Sequence, residues 1–238
     1  MRVWVTRALP EAQRTADRLT AAGHQPLLAP LLTVHPLPAA ADLAKGLDGA
    51  GAIAFTSANA VRAFAALRPL SDRHLPAFTV GAATAHAARE AGFATVISAE
   101  GDAHALAQAI AEHAGRLAGA VLHPAAQEPA GDLIGDLTAR GLTARAVAVY
   151  ETRQPPLSAE ALLALQQSPP AIDVVLIHSA KAARALLEIL QGRPETAAAL
   201  AVVCISKAAA EPLSALKLGR RTLAAKPNEA SMMERLEA

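Results

Sequence analysis

Short apolar runs alternate with amphipathic stretches along the whole chain. The run 50–55 ends in Thr56 and Ser57 and passes directly into a pattern with apolar residues at spacings of three. This is typical of a buried strand that turns straight into a helix, with a hydroxyl side chain at the cap position. The run 172–177 ends in a similar way, with Ser179 before a helical pattern. The chain therefore contains two similar strand-to-helix turns.

The same patterns, with glycine and proline at their ends, predict alternating strands and helices throughout the chain. The predicted strands are 2–6, 26–36, 50–55, 77–80, 95–97, 120–123, 144–150, 172–177, 200–205 and 222–225. The predicted helices are 12–22, 41–47, 57–67, one that ends at Gly92, 102–115, 132–140, 158–167, 180–191, 207–217 and 228–237, with Pro10 opening the first. Such alternation predicts an α/β protein with parallel sheets covered on both faces.

Two kinds of segment each occur twice. Residues 2–36 resemble residues 120–155, and residues 51–110 resemble residues 172–236. Neighbouring segments would pair with a single linker near 111–119, which has no proline. Crossed pairing needs chain crossings near 35–39 and 150–156, and both stretches carry prolines. Because proline favours linkers, we favour crossed pairing.

Composition excludes several classes of protein. The 238 residues are 53% apolar, but no apolar run approaches the ~20 residues that span a bilayer. Residues 1–7 lack the apolar region of a secretory signal, so we expect a cytoplasmic protein. A net charge of +1 and 3% aromatic residues argue against a nucleic-acid partner. The single cysteine, Cys204, lies in an apolar run and is expected to be a core thiol.

The strand-to-helix turns are also the best candidates for a binding site. Helix N-termini offer backbone N–H groups and a favourable dipole to anions, and Thr56, Ser57, Thr84 and Ser179 add hydroxyl groups there. No glycine-rich dinucleotide motif follows the first strand, and no phosphate-binding P-loop is present. No set of side chains has the spacing of metal ligands. We therefore expect an anion-binding protein without a metal.

Four stretches resemble the uroporphyrinogen-III synthase family, in the family's order and at roughly its spacing: Val3–Arg7, Phe55–Val61, Val80–Ala85 and Val147–Thr152. The resemblance covers essentially the whole chain. It implies two similar doubly wound, flavodoxin-like α/β domains with parallel sheets, joined by a two-stranded linker. The expected domains are 1–35 with 155–238, and 39–150 as an insertion.

The resemblance implies an activity. A member of this family is a cyclising hydro-lyase of haem biosynthesis. It converts the linear tetrapyrrole hydroxymethylbilane into uroporphyrinogen III with loss of water and inversion of ring D, without a cofactor or metal. We expect a monomer without membrane attachment that receives its substrate from the preceding bilane-forming enzyme. The alternative is a non-catalytic, two-lobed small-molecule binding protein, against which the missing export signal argues.

The resemblance also implies roles for individual residues. Tyr150, the only tyrosine, would assist departure of the substrate hydroxyl, whereas the plain alternative is a packing residue with its hydroxyl in solvent. Ser57 is expected to position the substrate, since its motif contains no partner base. The expected substrate-binding residues are Arg7, Thr56, Ser57, Ala58, Gly81, Thr84, Ser179 and Ser206.

The same residues also have ordinary structural explanations. Ser57 and Ser179 are suited to capping helices whether or not they bind a ligand. Arg7 is as well suited to holding its loop as to binding a carboxylate. His123 and His178 are expected to be polar residues at strand ends. The turn 204–209 and the loop 124–128 depart from the family pattern, which puts ligand contacts there in doubt.

Overall fold

The computed structural model describes residues 1–68 and 72–236, in which strands and helices alternate. The strands are β1 (Arg2–Val5), β2 (Gln25–Leu28), β3 (Thr33–Pro36), β4 (Ala50–Phe55), β5 (Ala77–Thr79), β6 (Val96–Ser98), β7 (Ala120–Ala126), β8 (Ala144–Arg153), β9 (Val174–Ile177), β10 (Ala201–Cys204) and β11 (Arg220–Leu223). The helices are α1 (Glu11–Ala21), α2 (Ala40–Leu47), α3 (Ala58–Leu67), α4 (Ala82–Glu90), α5 (Ala103–Glu112), α6 (Leu133–Thr138), α7 (Ala159–Gln166), α8 (Ala180–Leu190), α9 (Pro194–Ala199), α10 (Lys207–Ala210) and α11 (Glu229–Met233). None of the helices described is long and apolar enough to cross a membrane.

The chain divides into two compact units. Unit 1 contains residues 1–33 and the chain from Arg153 onward, and unit 2 contains Val34–Thr152. The chain passes between the units within β3 and near the end of β8, and these two strands are neighbours in the sheet of unit 2. Both crossings are therefore strand segments rather than open loops.

Each unit has one sheet, and the two sheets place equivalent segments in the same order. Unit 1 has the order β2-β1-β9-β10-β11, and its strands are parallel. Unit 2 contains five parallel strands in the order β8-β7-β4-β5-β6, and β3 extends the sheet beside β8. A pair of strands thus lies beside a triplet in each sheet. Along the chain, the pair (β1 and β2) precedes the triplet in unit 1, whereas the pair (β7 and β8) follows the triplet in unit 2. The two units are therefore related by a circular permutation.

The central strands of each sheet are almost wholly apolar because both faces of the sheet are covered there. In unit 1, Trp4 and Val175 face one core cluster, and Val3 and Val174 face the other. A strand buried on both faces reads as a continuous apolar run rather than as an alternating one. Trp4 is fully buried and its indole Nε1–H donates to the carbonyl oxygen of Ala29, at 2.7 Å.

An aromatic cluster supports the end of β4 in unit 2. The Phe55 ring makes edge-to-face contacts with Phe64 and Phe93, at centroid distances of 5.7 and 5.6 Å. The guanidinium group of Arg73 lies 5.0 Å from the Phe64 centroid and 4.7 Å from the Phe93 centroid. Such contacts add to the free energy of burial. Phe55 therefore fixes the strand end directly before Thr56 and Ser57.

Prolines explain several differences from the predicted elements. The predicted helix 207–217 ends as an α-helix at Ala210 and continues as a 3₁₀ turn, Glu211–Ala215. Pro212 lacks an N–H and clashes with the preceding helical turn, so the α-helix cannot continue. Helix α9, which the prediction lacks, has Pro194 at its first position. Pro10 occupies the cap position of α1 rather than its first turn.

Strand boundaries also differ. The predicted strand 26–36 is two strands in two different sheets, because the chain passes between the units there. Strand β7 continues through Pro124 to Ala126, three residues beyond its predicted end. Strand β8 includes the first part of the predicted linker 150–156. The predicted last helix, 228–237, is shorter at α11, and residue 237 lies outside the described residues.

Glycine at position 51 is required by a close backbone approach. A Cβ there would overlap the backbone nitrogen of Gly119, where the β4–β7 register shifts between Ala50 and Ala52. We predict that Gly51→Ala lowers the free energy of unfolding by about 2 kcal/mol, because the backbone must move. Urea denaturation measures this change. Gly115→Ala is the matched control, since a Cβ at that position meets no atom within 4 Å. Equal effects of the two substitutions would contradict the steric explanation.

Candidate functional site

The carboxyl ends of parallel strands meet at one edge of each sheet, and the predicted site residues follow those ends. In an open α/β sheet, ligands bind outside this edge where neighbouring strands connect in opposite directions. That point lies between β1 and β9 in unit 1, and between β7 and β4 in unit 2. Arg7 and Ser179 follow β1 and β9, and Ser57 follows β4. The topology therefore places Arg7 and Ser179 at this position in unit 1, and Ser57 at it in unit 2.

A hydroxyl pair lies at this edge of unit 2. The Ser57 Oγ is 3.0 Å from the Tyr150 hydroxyl oxygen, and either group can donate. Ser57 is the cap of α3, where its Oγ accepts the N–H of Ala60 at 3.1 Å. When the Ser57 hydroxyl donates to Tyr150, the phenol keeps its own O–H for a further acceptor. In that direction of the hydrogen bond, the cap holds the phenol and leaves its proton available.

A strand irregularity sets the direction of Tyr150. The β7–β8 register passes from Ala125 opposite Ala148 to Ala126 opposite Tyr150, which leaves one extra residue on β8. Val149 and Tyr150 are consequently both buried in the same core cluster, although successive strand residues normally face opposite ways. Tyr150 is 7% exposed. Its hydroxyl contacts Ser57, and its role in the departure of the substrate hydroxyl stays a prediction.

The neighbouring turns of unit 2 carry the other predicted residues. Thr56 and Ala58 flank Ser57 and are partly exposed, and the N–H of Ala58 has no acceptor within its own helix. Gly81 caps α4 in an extended conformation, and a Cβ there would meet no atom within 4 Å. The backbone at Gly81 is therefore open to approach. Thr84 is 4% exposed, so it lies beneath this rim rather than on it.

In unit 1, Arg7 is already held by an acid from the other end of the chain. Its Nη1 lies 2.8 Å from the Glu229 Oε2, in the first turn of α11. The hydroxyl of Thr15 donates to the other oxygen of this carboxylate. Burial lowers the pKa of Arg7, and the charge of Glu229 opposes that shift. Arg7 remains a cation, and Glu229 fixes its position.

The two predicted serines of unit 1 both cap helices. Ser179 is exposed, and its Oγ accepts the N–H of Ala182 at 3.1 Å at the start of α8. Ser206 accepts the N–H of Ala209 at 3.2 Å at the start of the four-residue α10. Both lie at the same edge of the sheet as Arg7. The structure therefore brings Arg7, Ser179 and Ser206 to one edge of unit 1.

His123 has different surroundings from those expected, whereas Cys204 has the expected ones. His123 does not end its strand, because β7 continues to Ala126; it is buried, and its Nδ1 lies 2.8 Å from the Ala54 carbonyl oxygen. Since that oxygen only accepts, Nδ1 carries the proton, and burial lowers the pKa of the ring. Burial raises the pKa of Cys204 to about 11, which confirms a core thiol. Neither group is a candidate for catalysis.

Sequence reasoning missed the partners of the predicted residues. Glu229 lies 222 positions from Arg7, and Tyr150 lies 93 positions from Ser57. No local motif signals either contact. Within residues 1–68 and 72–236, no group of three or more His, Cys, Asp or Glu side chains is placed to hold a metal ion. The predicted residues supply hydroxyl groups and backbone N–H groups in both units and, in unit 1, the guanidinium group of Arg7.

Known proteins resemble the chain in sequence pattern and in fold. A family model described as uroporphyrinogen-III synthase HemD matches residues 13–234. The structure of uroporphyrinogen-III synthetase from Helicobacter pylori is 19% identical, with a TM-score of 0.69 and coverage of 99% of this chain and 97% of that chain.

A mutant uroporphyrinogen III synthase from the extremely thermophilic bacterium Thermus thermophilus is 15% identical, with a TM-score of 0.58 and coverage of 99% of this chain and 96% of that chain. At these identities the two structures establish the fold, a pair of α/β units with parallel sheets. No curated protein sequence matches the chain significantly. The family model covers nearly the whole chain, and the chain belongs to the uroporphyrinogen-III synthase family.

Proposed function

We propose that the protein converts hydroxymethylbilane into uroporphyrinogen III, as a hydro-lyase that eliminates water while it closes the ring. Family membership supports the reaction. The observation that carries the proposal is the Tyr150 hydroxyl, buried on a bulged strand and held 3.0 Å from a helix-capping serine. A non-catalytic binding protein would need carboxylate-binding groups but no such oriented proton donor.

Binding begins with the substrate carboxylates. The first backbone N–H groups of α3, α4 and α8 have no acceptor within their helices, and each helix places its positive dipole end at the carboxyl edge of a sheet. These groups bind carboxylates without a matching set of cationic side chains. The open backbone at Gly81 lets an acidic group approach closely. Holding several carboxylates limits the conformations of the flexible bilane and favours ring closure.

The chemical step requires departure of the terminal hydroxyl. The C–O bond breaks as the Tyr150 O–H donates its proton to the leaving oxygen, and water is released. The resulting electron-poor methylene carbon is attacked by the substituted carbon of ring D, which forms a spiro intermediate. The bond from that carbon to its original bridging methylene then breaks, and the free carbon on the other side of ring D attacks this methylene, which inverts ring D. The ring carbon that closes the macrocycle loses a proton, which restores the phenol.

The first prediction concerns the product. Purified protein supplied with hydroxymethylbilane should yield mainly the type III isomer, because the enzyme selects one closure over the spontaneous one. Chromatography of the oxidised porphyrins separates the isomers. Type I product formed at the rate seen without protein would refute the proposed function.

The second prediction concerns Tyr150. Tyr150→Phe should lower kcat roughly 10- to 100-fold, since one hydrogen bond to a developing charge is lost. The ring and its packing are retained, so urea denaturation should show a free energy of unfolding within about 1 kcal/mol of the original. Single-turnover formation of the type III isomer measures the chemical step. An unchanged kcat would return Tyr150 to a packing role.

The third prediction tests the contact between Ser57 and Tyr150. Ser57→Ala should lower kcat by several-fold, but should have little further effect in a Tyr150→Phe background, because both changes remove the same oriented proton. Loss of the cap costs about 1 kcal/mol of stability by itself. Ser158→Ala is the matched control: Ser158 caps α7 by accepting the N–H of Ala161 at 3.2 Å and lies outside the proposed site. Independent effects of the two substitutions on kcat would rule out the coupling.

A further inference from the structure

His178 stands beside Arg7 at the centre of the unit 1 sheet. The parallel β1–β9 register pairs Val5 with Leu176, and the Thr6 hydroxyl donates to the Leu176 carbonyl oxygen at 2.6 Å. Continuing this register by two residues places Arg7 beside His178. His178 also directly precedes Ser179, the cap of α8. The imidazole therefore lies where β1 and β9 connect in opposite directions, the position at which this sheet type binds ligands.

The His178 imidazole is buried and has no hydrogen-bond partner within residues 1–68 and 72–236. The residue is partly exposed as a whole, but both ring nitrogens lie below the surface and neither contacts a donor or acceptor among the residues that the structure describes. Burial, and then the positive charge of Arg7, lower the pKa of the ring to about 3. A neutral imidazole has one N–H donor and one acceptor nitrogen. Both remain unused within the described parts of the chain.

A buried imidazole without hydrogen bonds lowers the stability of the fold unless a ligand binds to it. A buried polar group without a partner lowers stability, and an aromatic hydrocarbon of similar size would avoid that loss. His123, the buried histidine of unit 2, shows the usual solution, since its Nδ1 lies 2.8 Å from a carbonyl oxygen. His178 lacks this arrangement and faces a cation instead. The contrast indicates a ligand-binding role for His178.

Arg7 complements the imidazole. Among described residues, its guanidinium donates to one acceptor, Glu229, through Nη1. A guanidinium has five N–H donors in a planar fork, so several remain for a ligand. Glu229 keeps the fork in place. An ionised ligand group can then accept from Arg7 and from the neutral imidazole together.

We infer that His178 and Arg7 bind one carboxylate of the substrate, with His178 donating a ring N–H and Arg7 supplying the positive charge. The inference rests on the proposed function for the identity of the ligand, a tetrapyrrole carboxylate. It assigns to His178 a part in substrate binding rather than in the loss of water. The neutral ring adds a donor to the site without adding a second positive charge beside Arg7.

His178→Phe tests the inference, because it keeps an aromatic ring and removes both nitrogens. The variant should raise KM roughly tenfold or more, change kcat less than about threefold, and unfold in urea at the same midpoint or a higher one. His178→Gln supplies an amide donor and should recover part of the affinity. His24→Gln changes the other histidine of unit 1, which is not in this site, and should leave both constants unchanged.

A direct binding measurement distinguishes a failure of this inference from a failure of the proposed function. Isothermal titration with uroporphyrin III, a polycarboxylate, should show tight binding to the original protein and roughly tenfold weaker binding to His178→Phe. Equal affinity for both proteins, or an unchanged KM in His178→Phe, would overturn the role of His178 even if type III product forms. If the protein forms no type III product, weaker binding of this probe to His178→Phe would still support the carboxylate site.

Discussion

Parallel pairing between the two central strands of each sheet is the constraint on which the rest of the structure depends. It places the carboxyl ends of β1 and β9 side by side in unit 1, and those of β7 and β4 in unit 2. Helices of neighbouring connections begin at the same edge, so their unpaired N–H groups collect there. A position suited to anions therefore follows from this topology before any particular side chain is considered.

The two units use this edge differently. Unit 2 contributes two hydroxyl groups. Ser57 caps α3, and the Tyr150 hydroxyl contacts Ser57 because a bulge in β8 turns the tyrosine toward it. Unit 1 contributes a cation held by Glu229 and a neutral imidazole without a described partner. An oriented proton donor suits departure of a hydroxyl, whereas a cation beside a neutral donor suits a carboxylate. Two units with the same strand order therefore present different groups at the same edge.

One polar group at the unit 1 edge is buried at a loss of stability. Phe55 and its aromatic neighbours stabilise unit 2 through complete burial, and Trp4 does the same in unit 1 while its N–H is bonded. The ring nitrogens of His178 are buried without such compensation from any residue that the structure describes. Free energy that folding loses at one polar group is regained when a ligand satisfies that group. Strained or unpaired groups of this kind are expected at functional sites.

Local sequence was sufficient for the alternation of strands and helices, for the caps Ser57 and Ser179, and for the stretches that resemble the family, because these depend on neighbouring residues. It did not reveal the partners, since Arg7 meets Glu229 and Ser57 meets Tyr150 only after strands distant in the chain have paired. The direction of Tyr150 depends on a register shift between β7 and β8, and the isolation of His178 depends on everything packed around it. Contacts within one turn, such as a helix cap, can be predicted from the sequence. Contacts between distant strands depend on how those strands pair, and only the tertiary structure decides them.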